Sequence, residues 1–215
     1  MYVPRDPRES DQRRIDEFCR QNDFVTVVGW DGAAPLAAHL LVEFERAPDG
    51  GAWIHGHMAR ANPLWRTFDA EREVLVVFLG PHTYVPARWY AHVNVPTWNY
   101  IAVHAYGAPR LVTDDAELRA MLSRLVDRHE RGADASPPYR VETLPEPFVE
   151  KEMRGIVGFR IRVTRMEARF KLSQNRDDQD HATIVRELER RGDEDSMAIA
   201  RAMRAARERH PSRAS

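Results

Sequence analysis

Apolar residues recur along this chain with two periods, and the period assigns the element. Ile15, Phe18 and Cys19 fall at the i, i+3, i+4 spacing of one helical stripe, which predicts a first helix capped by Ser10, with Cys19 as a small core residue. Phe24 to Trp30 is β-branched and aromatic, Asp31-Gly32 is a hairpin turn signal, and Leu36 to Phe44 reads as the returning strand. Pro48-Asp49-Gly50-Gly51 makes the next turn and Ala52 to Met58 the next strand. A short helix after Asn62-Pro63 precedes the most apolar strand, Val74 to Leu79. The stretch from Pro81 to Trp98 is dense in rings and prolines and reads as a loop-like segment. Asn99 to Val112 reads as one long strand, with Gly107 a bulge or close-approach point.

From Thr113, a cap, the residues Ala116, Leu118, Met121, Leu122, Leu125, Val126 and His129 mark one face of a periodic helix. Gly132 to Pro147 reads as a loop and Phe148 to Arg154 as a short helix. Phe159, Ile161 and Val163 then alternate with Arg160 and Arg162, a strand with one buried face. Asp178 to Arg209 reads as one or two charged helices. Strands joined mostly by hairpins, with helices appended, predict a mainly β, α+β protein built on an antiparallel barrel, not on βαβ units.

The length of 215 residues suits one such barrel. The expected division is a barrel over 1–172 and a loop and helical extension over 173–215, packed on the same domain. An apolar fraction of 43% supports a sizeable core and 30% charged residues a polar surface. A net charge of −1 carries no footprint for a polyanion, so direct DNA binding is not expected. One cysteine excludes an internal disulfide framework and any Cys-cluster metal site. No signal-peptide pattern or spanning apolar run is present, which predicts a cytoplasmic protein with no membrane partner.

The usual fingerprints of Rossmann, P-loop, zincin and α/β-hydrolase chemistry are absent. What remains is three dense stretches. In Trp53 to Arg66, His55 and His57 point to one face of a strand, with Gly56 between them admitting a ligand or another backbone. Either histidine is a hydrogen-bonded wall residue, a metal or haem-iron ligand, or a donor to a cofactor. Asn62 caps and Pro63 opens a helix whose first N–H groups, flanked by Arg60 and Arg66, make a candidate anion site; the plainer alternative is a solvated surface with an ordinary cap. In the second stretch, His82, Tyr84, Trp89, Tyr90, Trp98 and Tyr100 supply flat faces with polar edges, suited to a planar heteroaromatic ligand or else to core packing. The third, Phe170 to Arg176, offers Lys171 and Gln174 as donors, or is a polar turn.

With these stretches in hand, the chain resembles the PaiB family of FMN-binding transcriptional regulators and, more distantly, flavin split barrels such as the pyridoxamine-phosphate oxidases. The likeness is carried by Met1-Tyr2-Val3-Pro4, Gly56-His57-Met58-Ala59-Arg60-Ala61-Asn62-Pro63, Gly80-Pro81-His82, Pro96-Thr97-Trp98-Asn99-Tyr100, Val103-His104-Ala105-Tyr106-Gly107 and Lys171 to Arg176. The chain departs from the pattern at Pro86-Ala87, at the short Ala91 to Asn94 connection and at Asp23. The resemblance implies a homodimer of split barrels with FMN at the subunit interface. It places the phosphate at Arg60, Asn62 and the helix after it, and the ring against Trp98 and Tyr100, with His82, Lys171 and Gln174 as further cofactor contacts. That reading needs no metal.

The haem-dependent piperazate synthases, which form an N–N bond, are also similar and share Gly56-His57-Met58. By that likeness the cofactor would be haem b, His57 its axial iron ligand, and Arg60 and Arg66 the partners of its propionates. A transcriptional regulator is the third reading, carried by the family label. Only Arg201, Arg204, Arg207 and Arg209 cluster as a basic region, on a helix that also holds Glu208. Thirty of the 32 basic residues are Arg, so Lys171, one of two lysines, marks a place where a compact ammonium is used in place of a planar fork.

Overall fold

The structure is a computed structural model, and it describes residues 1, 9–131 and 139–209. The helices are α1 (Gln12–Gln21), α2 (Asp115–Glu130), α3 (Glu146–Arg154), α4 (Asp178–Arg191) and α5 (Glu194–Arg209). The strands are β1 (Phe24–Trp30), β2 (Pro35–Arg46), β3 (Ala52–Ala59), β4 (Val74–Val85), β5 (Thr97–Gly107), β6 (Pro109–Val112), β7 (Ile156–Val163) and β8 (Arg165–Lys171). They hydrogen-bond in the order β6-β7-β3-β2-β1-β4-β5-β8. This mainly β arrangement with appended helices is the class that the hairpin pattern predicts. None of the described helices is long and apolar enough to cross a membrane.

By its contacts the chain divides into two compact units. The first, residues 16–78 and 105–166, is built on hairpins. Asp31 Oδ1 accepts the N–H groups of Ala33 and Ala34 at 2.8 and 2.7 Å, and Gly32 takes φ +101°, so the β1–β2 turn is fixed by its own residues. Asp49 does the same for the β2–β3 turn, accepting from Gly51 at 2.8 Å. β7 then runs antiparallel along all of β3, from Ala52 opposite Val163 to Ala59 opposite Ile156. Val25, Val27, Val42, Phe44, Ile54, Phe78, Phe159 and Ile161 fill the core, with Phe44 and Phe78 edge to face. Leu118, Met121, Val141, Val149 and Met153 form a second cluster beneath α2 and α3.

The second unit comprises residues 1–15, 79–104 and 167–215. Its core is Ile184, Val185, Leu188, Ile199 and Met203 on α4 and α5, with Leu172 and Phe170. Gly192 ends α4 at φ +76° and donates to Leu188 O, a left-handed cap that glycine adopts without strain. Arg191 Nη1 donates to Thr83 Oγ1 at 2.8 Å and to Tyr84 O at 3.1 Å, fastening the end of α4 to β4.

Several boundaries differ from the sequence reading. The caps move by one residue: Asp11, not Ser10, accepts Arg13 N–H at 3.0 Å, and Asp114, not Thr113, accepts Glu117 N–H at 2.8 Å. In each case a carboxylate beside the expected hydroxyl takes the role, as the stronger acceptor for a helix N-terminus. Residues 81–85 continue β4, so the segment between strands is only 86–96, and it opens with a 3-10 turn at Ala87–Trp89. The long strand ending at Val112 is β5 and β6, interrupted at Ala108. Part of the Gly132 to Pro147 loop, and Tyr2 to Pro4 of the N-terminal motif, lie outside the described residues.

Candidate functional site

In β3, buried Ala52, Ile54, Gly56 and Met58 alternate with half-buried Trp53, His55 and His57, so the two histidines share a face as the strand period requires. Burial holds both imidazoles below their usual pKa; at His55 the carboxylates of Glu43 and Glu45 oppose that shift. His55 Nε2 sits 3.4 Å from Glu45 Oε2 and its ring stacks near Trp53, while neither ring nitrogen makes a hydrogen bond to a described residue. His57 has no side-chain hydrogen bond to any described residue. Its neutral imidazole is the form that accepts a proton or binds iron. Gly56 serves something other than a ligand: a Cβ there would stand 2.7 Å from Phe159 Cζ and 3.2 Å from Val42 Cγ1. The close approach is made by a core ring.

The anion site is less open than its sequence suggests. The element after Asn62 is a 3-10 turn, Pro63–Thr67, and Asn62 Oδ1 already accepts Leu64 N–H at 3.0 Å. Arg60 Nε and Nη2 donate to the carbonyls of Arg154 and Ile156 at 2.9 and 2.8 Å, and Trp65 Nε1 donates to Arg60 O. Arg60 therefore clips β3 to the start of β7 and keeps Nη1 for a further acceptor. It lines a cleft of about 700 Å3 with Trp65, Leu118, Met153, Ile156 and Val157, a volume within the small-molecule range. Arg66 lies over the Trp65 ring and lines a separate cleft of about 390 Å3 with Trp30, Asp69 and Arg72. The two arginines that the sequence reading joined in one site thus face different clefts.

The second unit holds the aromatic set. Trp98 and Tyr100 stand two residues apart on β5 and share a face, while Asn99 between them is fully buried. Trp98 is 51% exposed and meets the rings of His82 and Tyr84 at 6.2 and 5.9 Å. The Arg169 guanidinium lies over Tyr100 at 5.3 Å. Lys171 Nζ donates to Thr97 Oγ1. Burial, and then the charges of Arg169 and Arg176, lower its pKa. The Gln174 amide donates to Phe170 O and accepts Leu172 N–H at 2.9 Å, closing its own turn. At the crest of that turn Ser173 adopts φ +57° and donates to Asn99 Oδ1 at 3.1 Å. The third stretch is therefore largely a clamped turn, with Lys171 directed elsewhere.

One residue of this face escaped the sequence reading as a site candidate. His104 is half-buried at the even-numbered register of Trp98 and Tyr100, and its Nδ1 is buried without a hydrogen-bond partner among the described residues. The alternation along β5 was the available signal. His181, buried with Nε2 3.3 Å from Met203 O, was likewise hidden within a charged helix. In the basic region, Arg204 is taken up by Glu189 and Arg207 by Arg176 O and Asp178.

Burial is the first cause of a lowered pKa at His55, His57, His104 and His181. Above the unfolded value of about 6.5 these groups are neutral in both states and leave stability untouched. Below it the unfolded chain takes up protons that the folded chain resists, so stability falls as the pH drops toward the depressed folded values. The urea midpoint is expected to be lower at pH 5.5 than at pH 7.5. An unchanged midpoint would contradict the burial of these rings.

A family model described as "Putative FMN-binding domain" matches residues 1–165. The Protease synthase and sporulation protein PAI 2 of Bacillus subtilis is 38% identical over 203 residues, covering 94% of this chain and 96% of that protein. An uncharacterized protein of Aspergillus fumigatus is 31% identical, covering 70% of this chain and 71% of its own. Among solved structures, the FAD and heme binding protein from Mycobacterium smegmatis superposes with a TM-score of 0.58 at 19% identity, covering 82% of this chain and 79% of that one. A flavocytochrome from Azotobacter vinelandii gives 0.55 at 14% identity, covering 84% and 78%. These likenesses show the split-barrel fold.

Proposed function

The chain belongs to the family described as "Putative FMN-binding domain", and from that membership we propose that it binds FMN at the interface of a homodimer. The observation that carries the proposal is the face of β5, where exposed Trp98 and half-buried Tyr100 stand in line with a buried His104 nitrogen that has no partner among the described residues. A planar, hydrogen-bonding ring system suits that combination of flat faces and an unused polar atom. His82 and Lys171 border the aromatic set, and Arg60 Nη1 beside Asn62 offers a charge-assisted bond to the phosphate. Each set is supplied by whichever copy of the dimer presents it. Bound there, FMN would supply hydride or electron transfer, with the chain contributing orientation and electronic tuning. Leu79, Val93, Val95 and Trp98, 53, 102, 69 and 51% exposed, favour a partner subunit covering this unit.

Titrating the cofactor-stripped chain with FMN tests the reading: fluorescence quenching that saturates at one FMN per chain is expected, and unaltered fluorescence would overturn it. Lys171→Arg is expected to leave folding intact and to weaken FMN binding by roughly tenfold, since a planar fork cannot replace the point donor held against Thr97. An unchanged affinity would return Lys171 to a structural role.

A second reading, a haem b protein, is favoured by His57, whose neutral imidazole is unengaged. A haem-loaded chain would then show a Soret band that His57→Ala shifts or abolishes, and a band indifferent to that change defeats the assignment. Any N–N bond-forming activity rests on the Gly56-His57-Met58 resemblance alone. A role in transcription rests on the family label, and salt-sensitive mobility shifts with DNA would test it.

A further inference from the structure

Away from the aromatic face, the irregular segment before β5 meets the start of α4. Asp177 is the N-cap of α4 and accepts Asp180 N–H at 2.8 Å. Asp180, three residues on, has a side chain only 1% exposed. Its Oδ1 accepts Ala91 N–H at 2.8 Å, which ties the segment to the helix, while its Oδ2 is buried with no hydrogen-bond partner among the described residues. A carboxylate oxygen in that condition is costly unless something positive meets it. The atom facing it is Nδ1 of exposed His92, 3.4 Å away.

That separation is informative. It exceeds the roughly 2.7–3.2 Å of a good N–H···O bond. Two donor atoms held about 2.1 Å from a tetrahedral metal, however, stand about 3.4 Å apart. One ligand atom each from His92, Asp177 and Asp180 lie within 4.8 Å of one another, so a small rotation of exposed Asp177 would close a three-ligand set. We propose that His92, Asp177 and Asp180 bind a divalent transition-metal ion of the Zn2+ type, with water completing the shell. An imidazole among the ligands favours Zn2+ over Mg2+ or Ca2+, which select all-oxygen sets. The positive end of the α4 dipole opposes a cation, and the two carboxylates are the charge that offsets it. Micromolar affinity is therefore expected, not the tighter binding of a closed structural site. The ion would staple the segment carrying His92 to α4 and leave solvent-facing positions open.

The experiment is calorimetric titration of the full chain, dialysed against chelator and then free of it, with ZnCl2. One Zn2+ per chain is expected, with thermal unfolding moved upward in its presence. His92→Ala, a change at an exposed side chain that leaves the fold intact, is expected to weaken binding at least tenfold and to remove the thermal shift. Asp180→Asn keeps the acceptor for Ala91 N–H and is expected to do the same, whereas Asp178→Asn, outside the trio, leaves both unchanged. Tetrahedral visible bands on Co2+ substitution, absent in His92→Ala, would add spectroscopic support. Failure of the native chain to bind, or binding that survives His92→Ala, would overturn the proposal. Because FMN titration reads the aromatic face, its outcome is independent of this one.

Discussion

Replacing Gly107 by alanine is expected to destabilise the protein by about 3 kcal/mol or more, close to or above the upper end for overpacked core positions and a loss of roughly a hundredfold in the folded-to-unfolded ratio. A Cβ at this position would stand 2.2 Å from the carbonyl oxygen of Arg162 and 2.6 Å from Ile161 Cγ2. The first of these is backbone, at the β7 position opposite Trp53 of β3, so it cannot swing aside as a side-chain tip would. Relief requires β5 or β7 to move, and β7 is held along its whole length by β3. Urea unfolding should show a lower midpoint with an unchanged slope. A midpoint equal to that of the native chain would mean that the two backbones do not approach as described.

Gly56→Ala is the second large effect, and it separates two meanings of one glycine. Phe159 is fully buried and packs edge-on against Phe68, so the ring that an added methyl would strike has little room to retreat. A loss of about 1–3 kcal/mol is expected. Phe159→Leu vacates the space, and the double variant should be less damaged than the sum of its parts, a coupling that unfolding measurements on the four proteins of the cycle would reveal. Cofactor affinity of the folded Gly56→Ala protein should be close to native. If affinity collapses while stability holds, a ligand uses the gap after all.

The hairpins were legible because each carries its own turn: Asp31 and Asp49 accept the N–H groups that close their bends, and the alternation of β1, β2 and β3 is local. The pairing of β3 with β7 was not, since a strand's period tells which face is buried but not which strand lies beside it. The same limit explains Gly56 and Gly107. Gly107 is a point of close approach as read, whereas Gly56, read as admitting a ligand or another backbone, admits a core ring; the approaching groups, Arg162 and Phe159, are some 50 to 100 residues away and unmarked by any local pattern. In the candidate site, residue type located the right stretches but not the state of each group. Gln174 and two of the donors of Arg60 are spent on backbone carbonyls, and nothing in their spacing signals this. His104 could have been found from alternation with Trp98 and Tyr100.

The segmented make-up of the second unit has a consequence for how the chain acquires its structure during synthesis. Residues 16–78 and 105–166 are complete once position 166 has emerged, and at about 5–20 residues per second the remaining stretch takes several seconds more. Throughout that interval residues 79–104 lack the partners that lie beyond residue 166: Thr83 waits for Ser196 and Arg191, Asn99 for Ser173, and Ala91 for Asp180. The exposed β5 edge and its aromatic residues are then a target for chaperones and for premature pairing with a second nascent chain. A fragment ending at residue 165, where the family match stops, would be fixed permanently in that condition.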